Sequence, residues 1–128
     1  MKFLLDTHIF LWWITDSHLL SQTALDIVSD GNSELFWSAA SSWEVAIKYK
    51  LGRLPLPEVP ELFIPLELAK NRIDPLPITS EHAFRAGQLP IRHLDPFDRM
   101  LVAQAQAENM EIISNDRQIS LYDVNISW

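Results

Sequence analysis

The chain opens on a run that leaves few folds available to it. Phe3-Leu4-Leu5 is apolar throughout and is broken at once by Asp6. A run this short and continuous fits a strand buried on both faces of a parallel sheet. Leu35-Phe36-Trp37 and Glu111-Ile112-Ile113-Ser114 read as further short strands, and Val124 to Trp128 alternates as a last one. Helical segments separate them. Strands alternating with helices over so short a chain predict the α/β class, a parallel sheet with helices on both faces.

The helices are punctuated by recognisable residues. Ile9 to Ile14 is apolar and predicts a short, mostly buried helix or helical turn. Ser21 is a cap for a helix over Gln22 to Asp30, with Ala24, Leu25, Ile27 and Val28 facing inward and Gly31 closing it in the left-handed conformation. Small residues from Ser38 to Ser42 lead into a helix through Trp43, Ala46, Ile47 and Leu51, stopped by Gly52. The middle is rich in proline. Pro60 begins a helix that Pro65 should kink or split. Leu76-Pro77-Ile78 reads as an edge strand or a strand end. Thr79 or Ser80 caps a helix over Glu81 to Leu89, and Asp95-Pro96 opens another through Asn109. No repeat or low-complexity tract divides the chain, so residues 1–128 read as one domain.

Composition bounds the function. Without cysteine, neither a disulfide framework nor a thiolate zinc site can form, which fits a reducing cytoplasm. The amino terminus does not read as a signal peptide, and no apolar segment approaches the roughly 18 residues of a membrane span. A net charge of −7 argues at first against nucleic acid, which normally selects a basic surface. The objection weakens if carboxylates are gathered around bound divalent cations, which reverse the local sign, or if the chain works beside a basic partner.

Four acids stand where such gathering is expected. Asp6 follows the first strand, and open α/β sheets bind ligands at the carboxyl ends of their strands. Alone, Asp6 reads first as a loop residue or helix cap, and Thr7 as helix-start chemistry. Ser41-Ser42-Trp43-Glu44 matches a capping box, in which Glu44 only returns a hydrogen bond to the Ser41 amide. If Ser38 is the cap instead, Glu44 lies in the second turn and faces the strand ends. In Asp95-Pro96-Phe97-Asp98, Asp95 suits the N-cap and Pro96 the first helical position. That frees Asp98 as the ligand candidate, with the reverse assignment open. Asp116 follows Ser114-Asn115, which either make a turn or orient a ligand.

The four positions share one rim of a parallel sheet. Carboxylates within about 4–6 Å repel by a few kcal/mol per pair at an effective dielectric of roughly 20. A divalent cation removes that penalty, and all-oxygen ligands point to Mg²⁺ or Mn²⁺ rather than zinc. Lys48, Arg99 and Arg117 lie beside these acids and are either ion-pair partners or phosphate contacts. His8 is near the rim, where a packed or capping imidazole is the default. Trp12, Trp13, Trp37 and Trp43 read as core. No nucleophile elbow, phosphate-binding loop or dinucleotide fingerprint occurs.

Leu4-Leu5-Asp6-Thr7-His8, the stretch Ser38 to Lys48, the stretch Asp95 to Ala105 and Ile113-Ser114-Asn115-Asp116 resemble, in order and spacing, PIN-domain nucleases of the VapC type, the toxins of toxin–antitoxin pairs. The resemblance implies a three-layer α/β/α sandwich on a parallel sheet of about five strands. It implies a Mg²⁺-dependent endoribonuclease with Asp6, Glu44, Asp98 and Asp116 as metal carboxylates, and with Ser114 positioning a carboxylate or water. It also implies a homodimer silenced by a cognate antitoxin. Two rivals stand beside it: a degenerate module that only binds RNA or protein, and a phosphatase using an Asp nucleophile. The second wants an acid two residues after Asp6, where this chain has His8.

Overall fold

The apolar runs become neighbouring strands of one sheet. The computed structural model describes residues 1–93 and 95–128. Among them the order is β1 (Lys2–Leu5), α1 (Thr7–Ile14), α2 (Gln22–Ser29), β2 (Glu34–Ser38), α3 (Ala39–Lys50), α4 (Pro60–Lys70), β3 (Ile73–Leu76), α5 (Ser80–Gln88), α6 (Pro96–Glu108), β4 (Glu111–Ile113) and β5 (Ile126–Ser127). A 3-10 turn, Ile119–Leu121, precedes β5. The strands pair in parallel in the order β3-β2-β1-β4-β5, with Leu4 opposite Phe36 on one side and Ile112 on the other.

The pleat divides the core in two. Phe3, Leu5, Leu35 and Trp37 pack with Ile9, Phe10, Ala24, Val28, Val45, Ile64 and Leu68, which come from α1 to α4. Leu4 and Ile112 point the other way and pack with Leu101, Val102, Ala105 and Ile119. This is a three-layer sandwich. Its handedness explains the split: crossovers β1→β2 and β2→β3 move one way along the sheet, and β3→β4 doubles back, so its helices cover the opposite face. In open α/β sheets such a reversal marks the ligand crevice, which here falls outside the carboxyl ends of β1 and β4.

Several details differ from the sequence reading. The strand expected at 76–78 forms earlier, at 73–76, and it is an edge strand, where a proline is tolerated: Pro75 stands opposite Trp37 of β2, and no strand lies on the other side. Helix α4 runs unsplit through Pro65, because Ile64 and Leu68 are anchored in the core on either side of it. Leu25 is 38% exposed while Ala24 and Val28 carry the inward face of α2. Gly31 does not close α2 in a left-handed conformation; Asp30 is the C-cap, with φ −77°. Gly52 does adopt one, with φ 72° just after α3, and Asn109 does so after α6 at φ 58°.

The two glycines should therefore respond differently to alanine. Gly52→Ala forces a Cβ into the left-handed region at a cost of about 1–2 kcal/mol. Gly31→Ala, with open space around the added methyl, leaves urea-unfolding stability unchanged or raises it by up to about 1 kcal/mol.

Candidate active site

The carboxylate of Asp6 is built into the crevice. Asp6 ends β1 and caps α1, and it is only 3% exposed. Its Oδ1 accepts the Thr7 amide at 2.7 Å, and its Oδ2 accepts the Ser114 hydroxyl at 2.6 Å across the crevice from the end of β4. Burial raises the Asp6 carboxyl above its ordinary value. His8, Ser114 and Thr7 hold it down, and Glu44 adds to the rise.

Glu44 arrives from α3. Ser38 caps that helix through the Ala40 amide, which places Glu44 in the second turn, so the capping-box alternative does not form. Thr7 Oγ1 lies 2.7 Å from Glu44 Oε1 and 2.9 Å from Ser41 Oγ. With a single proton to give, it donates to the carboxylate. Ser41 reads from the sequence only as a possible cap, although a helix starting after Ser38 puts it one turn before Glu44 on the same face. Lys48 Nζ holds the other Glu44 oxygen at 2.8 Å.

Asp95 is the cap of α6, accepting from the Phe97 and Asp98 amides, and Asp98 is left for other work. Burial pushes the Asp98 carboxyl from 3.8 to about 8, helped by the negative charges of Asp6, Asp95, Asp116 and Glu44 in that order. All four lie near enough for their charge to bear on it. Asp116 sits in the loop after β4, its amide donating to Ser114 Oγ at 3.0 Å and its Oδ1 accepting from Gln118. Asn115 meets His8: Nε2 of the imidazole is 2.7 Å from Asn115 Oδ1.

Arg99 does not join them. About 100° further round α6 than Asp98, its guanidinium donates to the carbonyls of Ala86, Leu89 and Pro90 and to the Tyr122 hydroxyl. It ties the end of α5 to α6, and its fork is spent there. The tryptophans divide as well. Trp37 is core, Trp12 and Trp13 are partly buried against it, and Trp43 is 63% exposed, edge-on to Phe97.

The donor set fits a hard cation held loosely. Every candidate ligand is a carboxylate or hydroxyl oxygen. Among the described residues, no group of three or more His, Asp or Glu side chains is close enough together to hold a metal ion as they stand. Mg²⁺ keeps several of its waters and takes one or two carboxylates directly, so an open set of acids suits it.

An acid-lined crevice at the direction reversal of a five-stranded parallel sheet is a ligand site of the doubly wound α/β class. The PIN domain family matches residues 3–125, and the chain belongs to that family. Ribonuclease VapC16 of Mycobacterium tuberculosis is 39% identical over 56 residues, which make up 44% of this chain and 40% of that protein. The chain thus matches less than half the length of that relative. VapBC2 from Rickettsia felis, solved bound to a promoter DNA fragment, superposes with a TM-score of 0.71 at 15% identity, covering 99% of this chain and 98% of that one. A toxin–antitoxin complex from Klebsiella pneumoniae gives 0.66 at 18% identity, with 98% and 95% covered. At such identities the likeness establishes the fold.

The raised carboxyls fix a pH dependence. Without metal, folded Asp98 keeps its proton up to about pH 8, while the unfolded chain releases it near pH ~4. The folded state binds the extra proton in between, so stability falls as pH rises through that window. Thermal unfolding of the metal-free protein should show this fall. Asp98→Asn should flatten it and raise Tm near pH 8, by roughly 3–6 °C for each kcal/mol relieved.

Proposed function

We propose that this chain is a Mg²⁺-dependent endoribonuclease, the toxin of a type II toxin–antitoxin pair, that hydrolyses RNA phosphodiester bonds with water. The observation that carries the reading is Asp98, whose carboxyl is raised to about 8 by burial and then by the negative charges of Asp6, Asp95, Asp116 and Glu44. A cation in the crevice would favour the charged form of this buried carboxyl. Asp6, Glu44, Asp98 and Asp116 would hold Mg²⁺, with Mn²⁺ as a substitute. When bound, the ion supplies Lewis-acid stabilisation of phosphoryl charge and a more acidic water.

The chain's own residues divide the remaining work. Ser114 and Thr7 fix both oxygens of Asp6, and Thr7 turns Glu44 toward the crevice. Asp98, raised to about 8, would give up its proton on binding a cation, so metal uptake would release protons. Lys48, half exposed beside Glu44, keeps a positive charge at the edge where a phosphate enters. Asp95 keeps the start of α6 wound, and Asn115 holds the Asp116 loop against His8. Water attack with departure of the 3′-oxygen leaves a 5′-phosphate and a 3′-hydroxyl. Asp6 makes a poor covalent nucleophile, buried with both oxygens engaged, which sets the phosphatase reading aside.

The ribonuclease name of the mycobacterial relative and the toxin–antitoxin complexes among the structural relatives support the RNA substrate and a cognate antitoxin. Trp43 and Ile47 on α3 and Leu51 just after it, spaced four apart and exposed, supply apolar area for a homodimer or antitoxin contact. The absence of cysteine suits a cytoplasmic setting, and among the described residues no helix is long and apolar enough to cross a membrane.

Cleavage of RNA should require Mg²⁺ and stop with EDTA, with the product ends given above on end mapping. Asp6→Asn and Asp98→Asn should each lower the rate at least ~100-fold while far-ultraviolet circular dichroism shows the fold kept. Full activity in either variant refutes the assignment.

A further inference from the structure

We propose that His8, acting through Asn115, is a positioning residue that sets Asp116 against Asp6 and so governs how tightly the crevice grips a divalent cation. The inference rests on the metal-dependent reading above. The two loops that line the crevice leave it in different directions: the chain after β1 enters α1 at once, whereas the chain after β4 runs from Ser114 without regular structure to the 3-10 turn at Ile119. Strand β4 has only three residues, so the loop carrying Asp116 has a short root. Its own hydrogen bonds, from the Asp116 amide to Ser114 and from the Gln118 amide to Asp116, are local and do not fix it relative to β1.

Two side-chain contacts do cross the crevice. Ser114 to Asp6 at 2.6 Å lies at its buried floor, and His8 to Asn115 at 2.7 Å lies at its exposed mouth. At the floor, the Asp6 amide also donates to the Ile113 carbonyl at 3.1 Å and the Ser114 amide to the Ser127 carbonyl at 3.2 Å, so the loop is held as far as Ser114. The His8–Asn115 contact is the side-chain tie beyond that point, one residue before Asp116. The imidazole is suited to this because it is itself held. Trp12, one turn on in α1, meets it edge-on with ring centres 4.8 Å apart, and its other nitrogen lies 3.6 Å from Asp6 Oδ1. The His8 side chain is 37% exposed, so its replacement should disturb the site more than the core.

The test uses the full chain and Mn²⁺ alone as probe, with free Mn²⁺ followed by electron paramagnetic resonance and Tm measured in parallel. His8→Phe keeps a ring against Trp12 and removes the hydrogen bond. His8→Gln restores an N–H group at similar reach. His8→Phe and Asn115→Ala should each weaken Mn²⁺ binding by roughly 10-fold, the double variant should bind no more weakly than either single one, and His8→Gln should recover most of the loss. Wild-type affinity in His8→Phe, or losses that multiply in the double variant, overturns the proposal. If His8→Phe also lowers Tm, recovery of affinity in His8→Gln at the same lowered Tm supports positioning, and no recovery overturns it. A wild-type chain that binds no Mn²⁺ sinks the metal-dependent reading itself and this inference with it, an outcome distinct from one in which all variants bind alike.

Discussion

Burying a carboxylate at the end of the central strand is the constraint from which the rest of this architecture follows. Asp6 lies among apolar residues that disfavour its charge, and only specific donors make its position tolerable. One donor comes from the first amide of α1 and the other from Ser114 at the end of β4. The second requires β4 to lie beside β1, which happens because the chain reverses direction after β3. The topology and the buried acid are thus two aspects of one arrangement: the reversal opens the crevice, and Ser114 closes its floor.

The acids around Asp6 impose a cost on the fold in the absence of a cation. Asp98 is driven toward its neutral form by burial and by four like charges, and Glu44 is kept in place only by Thr7 and Lys48. Repulsion collected at one place in this way is typical of sites whose chemistry needs it, where stability and activity pull apart. It also answers the objection raised by a net charge of −7. The negative charge at the crevice is the means by which the proposed nuclease would recruit the cation that faces the phosphate.

Much of this was readable from the residues alone, and the misses have physical causes. The central strands were visible because Phe3-Leu4-Leu5 and Ile112-Ile113 are buried on both faces and carry no polar interruption. The caps at Ser21, Thr79 and Asp95 were visible because capping depends on local chemistry. Strand β3 was misplaced because an edge strand is half-solvated: Asp74 and Pro75 disguise it, and only pairing with β2 shows where it lies. Arg99 was assigned by its nearness to Asp98 in sequence, yet neighbours on a helix point to different sides, and its carbonyl partners lie about ten residues away. Pro65 was given too much weight because the burial of Ile64 and Leu68, which anchors the helix around it, could not be foreseen. The His8–Asn115 contact joins residues 107 apart, a separation at which periodicity and capping carry no signal.

The proline in β3 reaches beyond the single chain. An open sheet presents unpaired peptide groups at its margins, and these can recruit strands from other molecules into growing fibrous stacks. Here one margin carries Pro75 beside the exposed charge of Asp74, and the other is a strand of only two residues. Neither offers a length of backbone on which a foreign strand could zip. A chain with two exposed tryptophans and several exposed leucines is thereby protected from polymerising through its backbone, and its associations with other proteins are left to side-chain surfaces.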